Sequence, residues 1–291
     1  MQAKPLPNRR SVLKAVGVGV TTSLVSGRLP AKDQEEPRKA KGNIKQSVCQ
    51  WCYADKLPLE KLTTEAKKMG YQSIELLGPK DILTVKKLGL TCAMMRCASI
   101  SDGLNRKENH ERIEKELRTH IEFAAAEGIP NVICMAGNRK GLDDAEGLKV
   151  CAEGLKRVLG LAEEKKVTIC MEGLNSKVNH KDYMYDKTTW GVELCKKLGS
   201  DRFKLLYDIY HMQIMEGDVI RTIRDFHQYI AHYHTGGNPG RNEIDETQEL
   251  NYPAIVKAIL ETGYKGYLGQ EFIPKREAMK SLEQGFRICD V

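Results

Sequence analysis

Residues 203–211 read FKLLYDIYH, a mostly apolar run that ends on Asp208 and carries His211 three positions further on. A short run of Phe, Leu and Tyr between polar boundaries describes a buried parallel strand with an acid at its C-terminal end. Three more stretches share the pattern: VTICMEGLN (167–175) closes on Glu172, IAHYHTGGN (230–238) on His234 and GYLGQEFIPK (266–275) on Glu271. Successive closing residues lie 36, 26 and 37 positions apart, close to the length of one strand–helix unit. In a (β/α)8 barrel the C-terminal strand ends converge on one mouth, so residues distant in sequence meet there. Three carboxylates and an imidazole brought together would repel unless a divalent cation held them. The spacing therefore points to a metal site made of Glu172, Asp208, His234 and Glu271.

The rest of the chain fits that frame. Strand-like runs are expected at 45–51, 71–76, 91–97, 131–136, 167–171, 203–208, 230–234 and 266–271. Helix-patterned stretches separate them at 59–69, 79–88, 107–127, 145–165, 188–198, 219–227 and 253–261, and a last one at 279–289 closes the chain. Gly70, Gly89, Gly128, Gly199 and Gly263 fall where these helices should stop, as a left-handed C-cap prefers. Strand–helix alternation gives a single (β/α)8 TIM barrel over residues 44–291. An open doubly wound sheet is disfavoured because no glycine-rich nucleotide loop follows the first strand.

Residues 1–43 form a separate segment. Ten Lys/Arg and three Asp/Glu within residues 1–45 account for the whole formal charge of +7, leaving 36 charges of each sign in the remainder. The barrel thus offers no bulk attraction for nucleic acid or an anionic membrane. Asn8-Arg9-Arg10-Ser11-Val12-Leu13-Lys14 resembles a twin-arginine export motif, and AVGVGVTTSLVSG follows as a moderately apolar stretch too short to span a bilayer stably. A polar linker from Lys32 to Asn43 reads as disordered. The expectation is an extracytoplasmic protein, or a cytoplasmic one if the leader does not function. Of nine cysteines, Cys49, Cys92, Cys134 and Cys170 fall in strand runs, where Cys acts as a small buried hydrophobe. Cys49 and Cys52 have CxxC spacing without a second pair to complete a zinc site.

At the mouth, three oxygen donors and one imidazole suit Mn²⁺ or Mg²⁺ best, with Co²⁺ and Zn²⁺ as softer alternatives. The surrounding residues carry a resemblance. MEGLN, YDIYHMQIMEGD, HTGGNPGRNEI, the ELNY run and QEFIPK are similar to the hydroxypyruvate isomerase family, within the wider xylose isomerase-like barrels, and the likeness covers residues 44–291. It implies that Glu172, Asp208, His234 and Glu271 hold a divalent cation and that Glu172 and Glu271 also move the proton. It implies further that His211 and Arg241 contact substrate oxygens. Some hydroxypyruvate isomerases carry Gln where this chain has His234. Asn175, three positions after Glu172, is expected to shape the mouth on the substrate side. Trp51 and Tyr53 follow the first strand and suit a pocket wall or the core equally. His110, His120 and His227 read as surface residues, and His232 as turned outward from His234. Glu249 reads as a solvated loop residue or an acid supporting the ligands, and Lys275 as solvent-exposed or assisting a carboxylate.

The chemistry so described is an isomerase, interconverting hydroxypyruvate and tartronate semialdehyde through an enediol. A ketose 3-epimerase or aldose–ketose isomerase would use the same site on a longer sugar, and a non-catalytic sugar-binding barrel is the remote alternative. A nuclease of the endonuclease IV type would need further His ligands at early strand ends, and those runs end near Glu75, Arg96 and Ala136. The implied partners are a small hydroxy-carbonyl or sugar substrate and, at most, further copies of the chain in a homo-oligomer. Neither nucleic acid nor stable membrane insertion is expected.

Overall fold

The strand runs are apolar almost throughout because helices cover one face of the barrel wall and packed side chains fill the other. In the computed structural model, which describes residues 40–96 and 99–291, β1 (Lys45–Cys49) leads through a 3₁₀ turn (Gln50–Tyr53) to α1 (Leu59–Met69). Next come β2 (Ser73–Glu75), α2 (Pro79–Lys87), β3 (Met94–Met95) and α3 (His110–Glu127). They are followed by β4 (Asn131–Cys134), α4 (Asp144–Lys165), β5 (Thr168–Glu172) and α5 (Thr188–Leu198). β6 (Phe203–Asp208) runs into α6 (Ile209–Met215) and then α7 (Val219–Phe226). β7 (Ile230–Thr235), α8 (Tyr252–Glu261), β8 (Tyr267–Gln270) and α9 (Ala278–Cys289) complete the chain. The strands pair in parallel in the order β2-β1-β8-β7-β6-β5-β4-β3. Parallel bridges Ser73–Thr91 and Leu77–Met95 join β2 to the β3 run. The result is the expected (β/α)8 TIM barrel.

Local chemistry explains most boundaries. The five glycines expected to stop helices all have positive φ, a conformation that carries no Cβ penalty at glycine. Asp143 caps α4 by accepting from the Ala145 and Glu146 amides. Leu205 and Leu206 in β6 are fully buried, each worth about 1.5–3 kcal/mol relative to exposure. Lys41 and Gly42 donate backbone N–H to the Asp290 carboxylate, and Asn43 Nδ2 donates to the Val291 carbonyl. The leader at residues 1–39 lies outside the described residues. Among the described residues, no helix is long and apolar enough to cross a membrane.

Four expectations need correction. The third strand is far shorter than 91–97, and Cys97 lies outside the described residues. Side chains take its ladder positions: Ala93 N donates to Ser73 Oγ and Asn131 Nδ2 donates to the Ala93 carbonyl. A helix not foreseen, α6, starts directly at Asp208, whose Oδ1 accepts the His211 N–H at 3.1 Å. His110 is buried rather than on the surface, with its Nε2 2.9 Å from the Leu104 carbonyl. His232 is also buried, because residues two apart on a strand share a face. The eight described cysteines are all buried, and Cys49 and Cys52 are free thiols.

Candidate metal and active site

Parallel strands in register deliver the four expected ligands to one place. Asp208 sits opposite His234 in the β6–β7 ladder, and Glu172 opposite Leu206 in the β5–β6 ladder. Glu271 follows the last residue of β8, its N–H donating to the Thr235 carbonyl. One ligand atom each from Glu172, Asp208, His234 and Glu271 lies within 4.8 Å of the others. His234 Nδ1 is 2.7 Å from Glu271 Oε2 and 3.5 Å from Glu172 Oε1. None of these three buried atoms makes a hydrogen bond of acceptable geometry. They face one another as ligands of a common ion do. Three oxygens and an imidazole nitrogen, all buried, fit a divalent cation of the Mn²⁺ or Mg²⁺ kind.

The electrostatics agree with that fit. Burial pushes the Asp208 carboxyl up to about 7, against the pull of Arg241 and with the repulsion of Glu271 and Glu172. Burial raises Glu172 as well, and the charge on Glu271 adds to it. For Glu271 burial is outweighed by the charges of Arg241 and His234, which hold its carboxyl well below the usual range. Two acids driven up and one driven down is a strained set that a cation relieves.

Arg241 already places one positive charge there. Its Nη2 lies 2.6 Å from Glu271 Oε2 and 3.2 Å from Asp208 Oδ2. Its guanidinium is flanked by the rings of Trp51 and Tyr210, with centroids at 5.2 and 5.4 Å. The backbone at Arg241 has φ +59°, a left-handed conformation that turns the chain after Gly240 back toward the mouth. Trp51 donates its indole N–H to Glu271 Oε1 at 2.7 Å, so it walls the site, whereas Tyr53 packs edge-on against Phe272 in the core.

His211 is fully buried, and burial together with Arg241 holds its imidazole neutral, well below its usual value. Its Nδ1 accepts the Asn175 backbone N–H at 3.1 Å. The ring proton therefore sits on Nε2, which lies 3.7 Å from Asp208 Oδ2 and has no hydrogen-bond partner. Asn175 is also fully buried. Its Oδ1 accepts from the Val178 and Asn179 amides, and its Nδ2 bonds Asn179 Oδ1 and approaches His211 Nδ1 at 2.6 Å. Asn175 thus ties the His211 ring to the turn at residues 178–179. Glu249 and Lys275 are exposed.

Sequence reasoning passed over Glu75. It ends β2 beside Cys49, fully buried, and its Oε1 meets the Nε2 atoms of His232 at 2.8 Å and His234 at 2.7 Å. The available signal was the His-Tyr-His spacing of β7, which puts both imidazoles on the inner face.

The barrel's class follows from its sequence: the chain belongs to the xylose isomerase-like TIM barrel family, whose profile matches residues 64–288. Among individual relatives, the hydroxypyruvate isomerase of Escherichia coli (strain K12) is 26% identical over 242 residues, covering 78% of this chain and 90% of that protein. A crystal structure described as AP endonuclease, family 2, from Brucella melitensis superposes with a TM-score of 0.74 at 21% identity, over 82% of this chain and 96% of that one. A D-psicose 3-epimerase from Clostridium cellulolyticum H10, solved with D-tagatose, gives 0.70 at 17% identity, over 85% and 97%. At these identities the two structures speak for the fold alone.

Proposed function

We propose that this protein is a metal-assisted isomerase of the hydroxypyruvate type, interconverting hydroxypyruvate and tartronate semialdehyde. The observation that carries the reading is the convergence of Glu172, Asp208, His234 and Glu271 on one buried point beside a neutral His211 whose Nε2–H faces the site. Those four residues would hold a divalent ion, which would supply Lewis-acid stabilisation of the developing negative charge. Glu271, the acid kept ionised, removes a proton from the hydroxyl-bearing carbon and leaves an enediolate. Glu172, the acid driven toward its protonated form, returns a proton to the former carbonyl carbon. His211 Nε2–H donates to a substrate oxygen and passes the hydroxyl proton between the two oxygens. Arg241, set beside the Trp51 and Tyr210 rings, presents its guanidinium to the substrate carboxylate. Asn175 fixes the His211 ring.

The burial of the two acids supports a small substrate. Glu172 and Glu271 are only 5% and 3% exposed, with Trp51 and Arg241 against Glu271. A ketose 3-epimerase would run the same chemistry on a longer chain, and the sugar-epimerase folds among the structural neighbours keep that reading in the test. Purified protein, stripped of metal and reloaded with Mn²⁺, is assayed for conversion of hydroxypyruvate and a panel of ketoses. Turnover of hydroxypyruvate above every ketose is the expected result, and turnover of a ketose alone overturns the substrate assignment. The twin-arginine-like leader, Arg9-Arg10 with its apolar stretch, places the working enzyme outside the cytoplasm in this proposal. Buried free thiols suit export of an already folded chain.

A further inference from the structure

Glu75 takes no part in the proton transfer just described, yet the barrel is built around it. Its Oε1 receives two imidazole nitrogens at 2.8 and 2.7 Å, and the Cys49 thiol lies 3.6 Å away. Strand β8 leaves room for the contact: a Cβ on Gly269 would fall 2.5 Å from Glu75 Oε1 and 2.8 Å from His234 Cδ2. Any larger residue there would push the two side chains apart. A carboxylate oxygen only accepts, so the ring nitrogen facing it donates. That keeps a ring proton on Nε2, so the nitrogen left to offer its lone pair to a cation is Nδ1. Nδ1 is the atom turned toward Glu172 and Glu271.

We propose that Glu75 is a positioning residue that fixes the tautomer and ring plane of His234, presenting Nδ1 to the divalent cation, with His232 as the second clamp on the same oxygen. A carboxylate behind a ligating histidine orients the ring and raises its basicity. His232 anchors the carboxylate from the same face of β7, so Glu75 cannot rotate away when His234 takes a metal. Cys49, Glu75 and His234 are close enough together to suggest an ion of their own. Both Glu75–imidazole contacts, however, meet the length and angle of hydrogen bonds, so the oxygen is occupied by donors. The proposal rests on the metal reading of the four-ligand site, and its test needs no turnover.

The experiment has two arms on the full-length protein. In the first, Mn²⁺ alone is titrated into wild type and Glu75→Gln, with free Mn²⁺ read by electron paramagnetic resonance. The expected result is an affinity about 10–100-fold weaker in the variant, with its circular dichroism unchanged. Equal affinity in the two folded proteins overturns the proposal. In the second arm, long-range ¹H–¹⁵N correlation of the metal-free wild type reads the protons on the His234 ring, with a proton on Nε2 expected whether or not Nδ1 also carries one, and an Nε2 without a proton overturning the proposal. This arm decides alone if Glu75→Gln does not fold. A wild type that takes up no Mn²⁺ while keeping the proton on Nε2 refutes the metal site and not the hold of Glu75 on His234.

Discussion

Arg241→Gln removes the permanent positive charge that the chain lends to the acid cluster, and its cost can be worked out from the contacts. The Arg241 side chain is 12% exposed, with Nη2 at 2.6 Å from Glu271 Oε2 and 3.2 Å from Asp208 Oδ2. Glutamine keeps a polar group but leaves two buried carboxyls without their counter-charge. Breaking a buried pair in this way costs about 3–5 kcal/mol. At about 2–4 °C per kcal/mol for a chain of this size, the metal-free variant should melt on the order of 10 °C lower. Mn²⁺ changes the comparison because the ion supplies the missing charge. The variant should bind Mn²⁺ about tenfold more tightly than wild type, recovering ~1.4 kcal/mol of the deficit. Urea unfolding with and without saturating Mn²⁺ measures both quantities. A deficit identical in the two conditions would show that Arg241 contributes packing alone, and the counter-charge argument would be wrong.

Other expectations follow from the same geometry. Glu271→Gln keeps the shape and one oxygen donor but removes the base, so it should nearly abolish turnover while Mn²⁺ still binds. Near-normal turnover would exclude Glu271 as the base. Asp208 has a folded pKa of about 7, above its ordinary 3.8. Its contribution to metal-free stability is therefore fully present below pH ~4 and lost as pH rises toward 7. The stability difference between metal-free wild type and Asp208→Asn should thus move in favour of Asn across that window. A pH-independent difference would refute the burial argument. Replacing Arg9 and Arg10 by Lys should leave the protein in the cytoplasm, as cell fractionation would show. Unchanged export of that variant, or cytoplasmic wild type, defeats the twin-arginine reading.

Much of the barrel was legible because buried parallel strands write themselves as short apolar runs and helices stop at glycines. The β6 strand, 203–208, was read to the residue, since its apolar run breaks at an acid. The β3 run was not, because Ser73 and Asn131 side chains replace its ladder bonds and hydropathy carries no trace of that. Helix α6 escaped because seven residues leave too little periodicity to separate it from the end of a strand. The four metal-ligand candidates were visible as strand-end residues. Glu75 was visible only as another strand end, since its meaning depends on His232 and Gly269 across the barrel. The phase of β7 would have put His232 inward beside His234. Arg241's grip on Asp208 and Glu271 depends on a left-handed backbone turn, which no spacing rule announces.

The central claim is that these strand-end residues hold a divalent ion and shuttle a carbon-bound proton beside a carbonyl. Its most direct test is proton NMR of hydroxypyruvate in deuterated water with Mn²⁺-reconstituted protein, followed by quenching and metal removal. The account predicts loss of the hydroxymethyl proton signal with reloaded wild type, and none with metal-stripped protein or with Glu271→Gln. Deuterium uptake that persists in the Glu271→Gln variant, or none from reloaded wild type on hydroxypyruvate or any ketose, would contradict it.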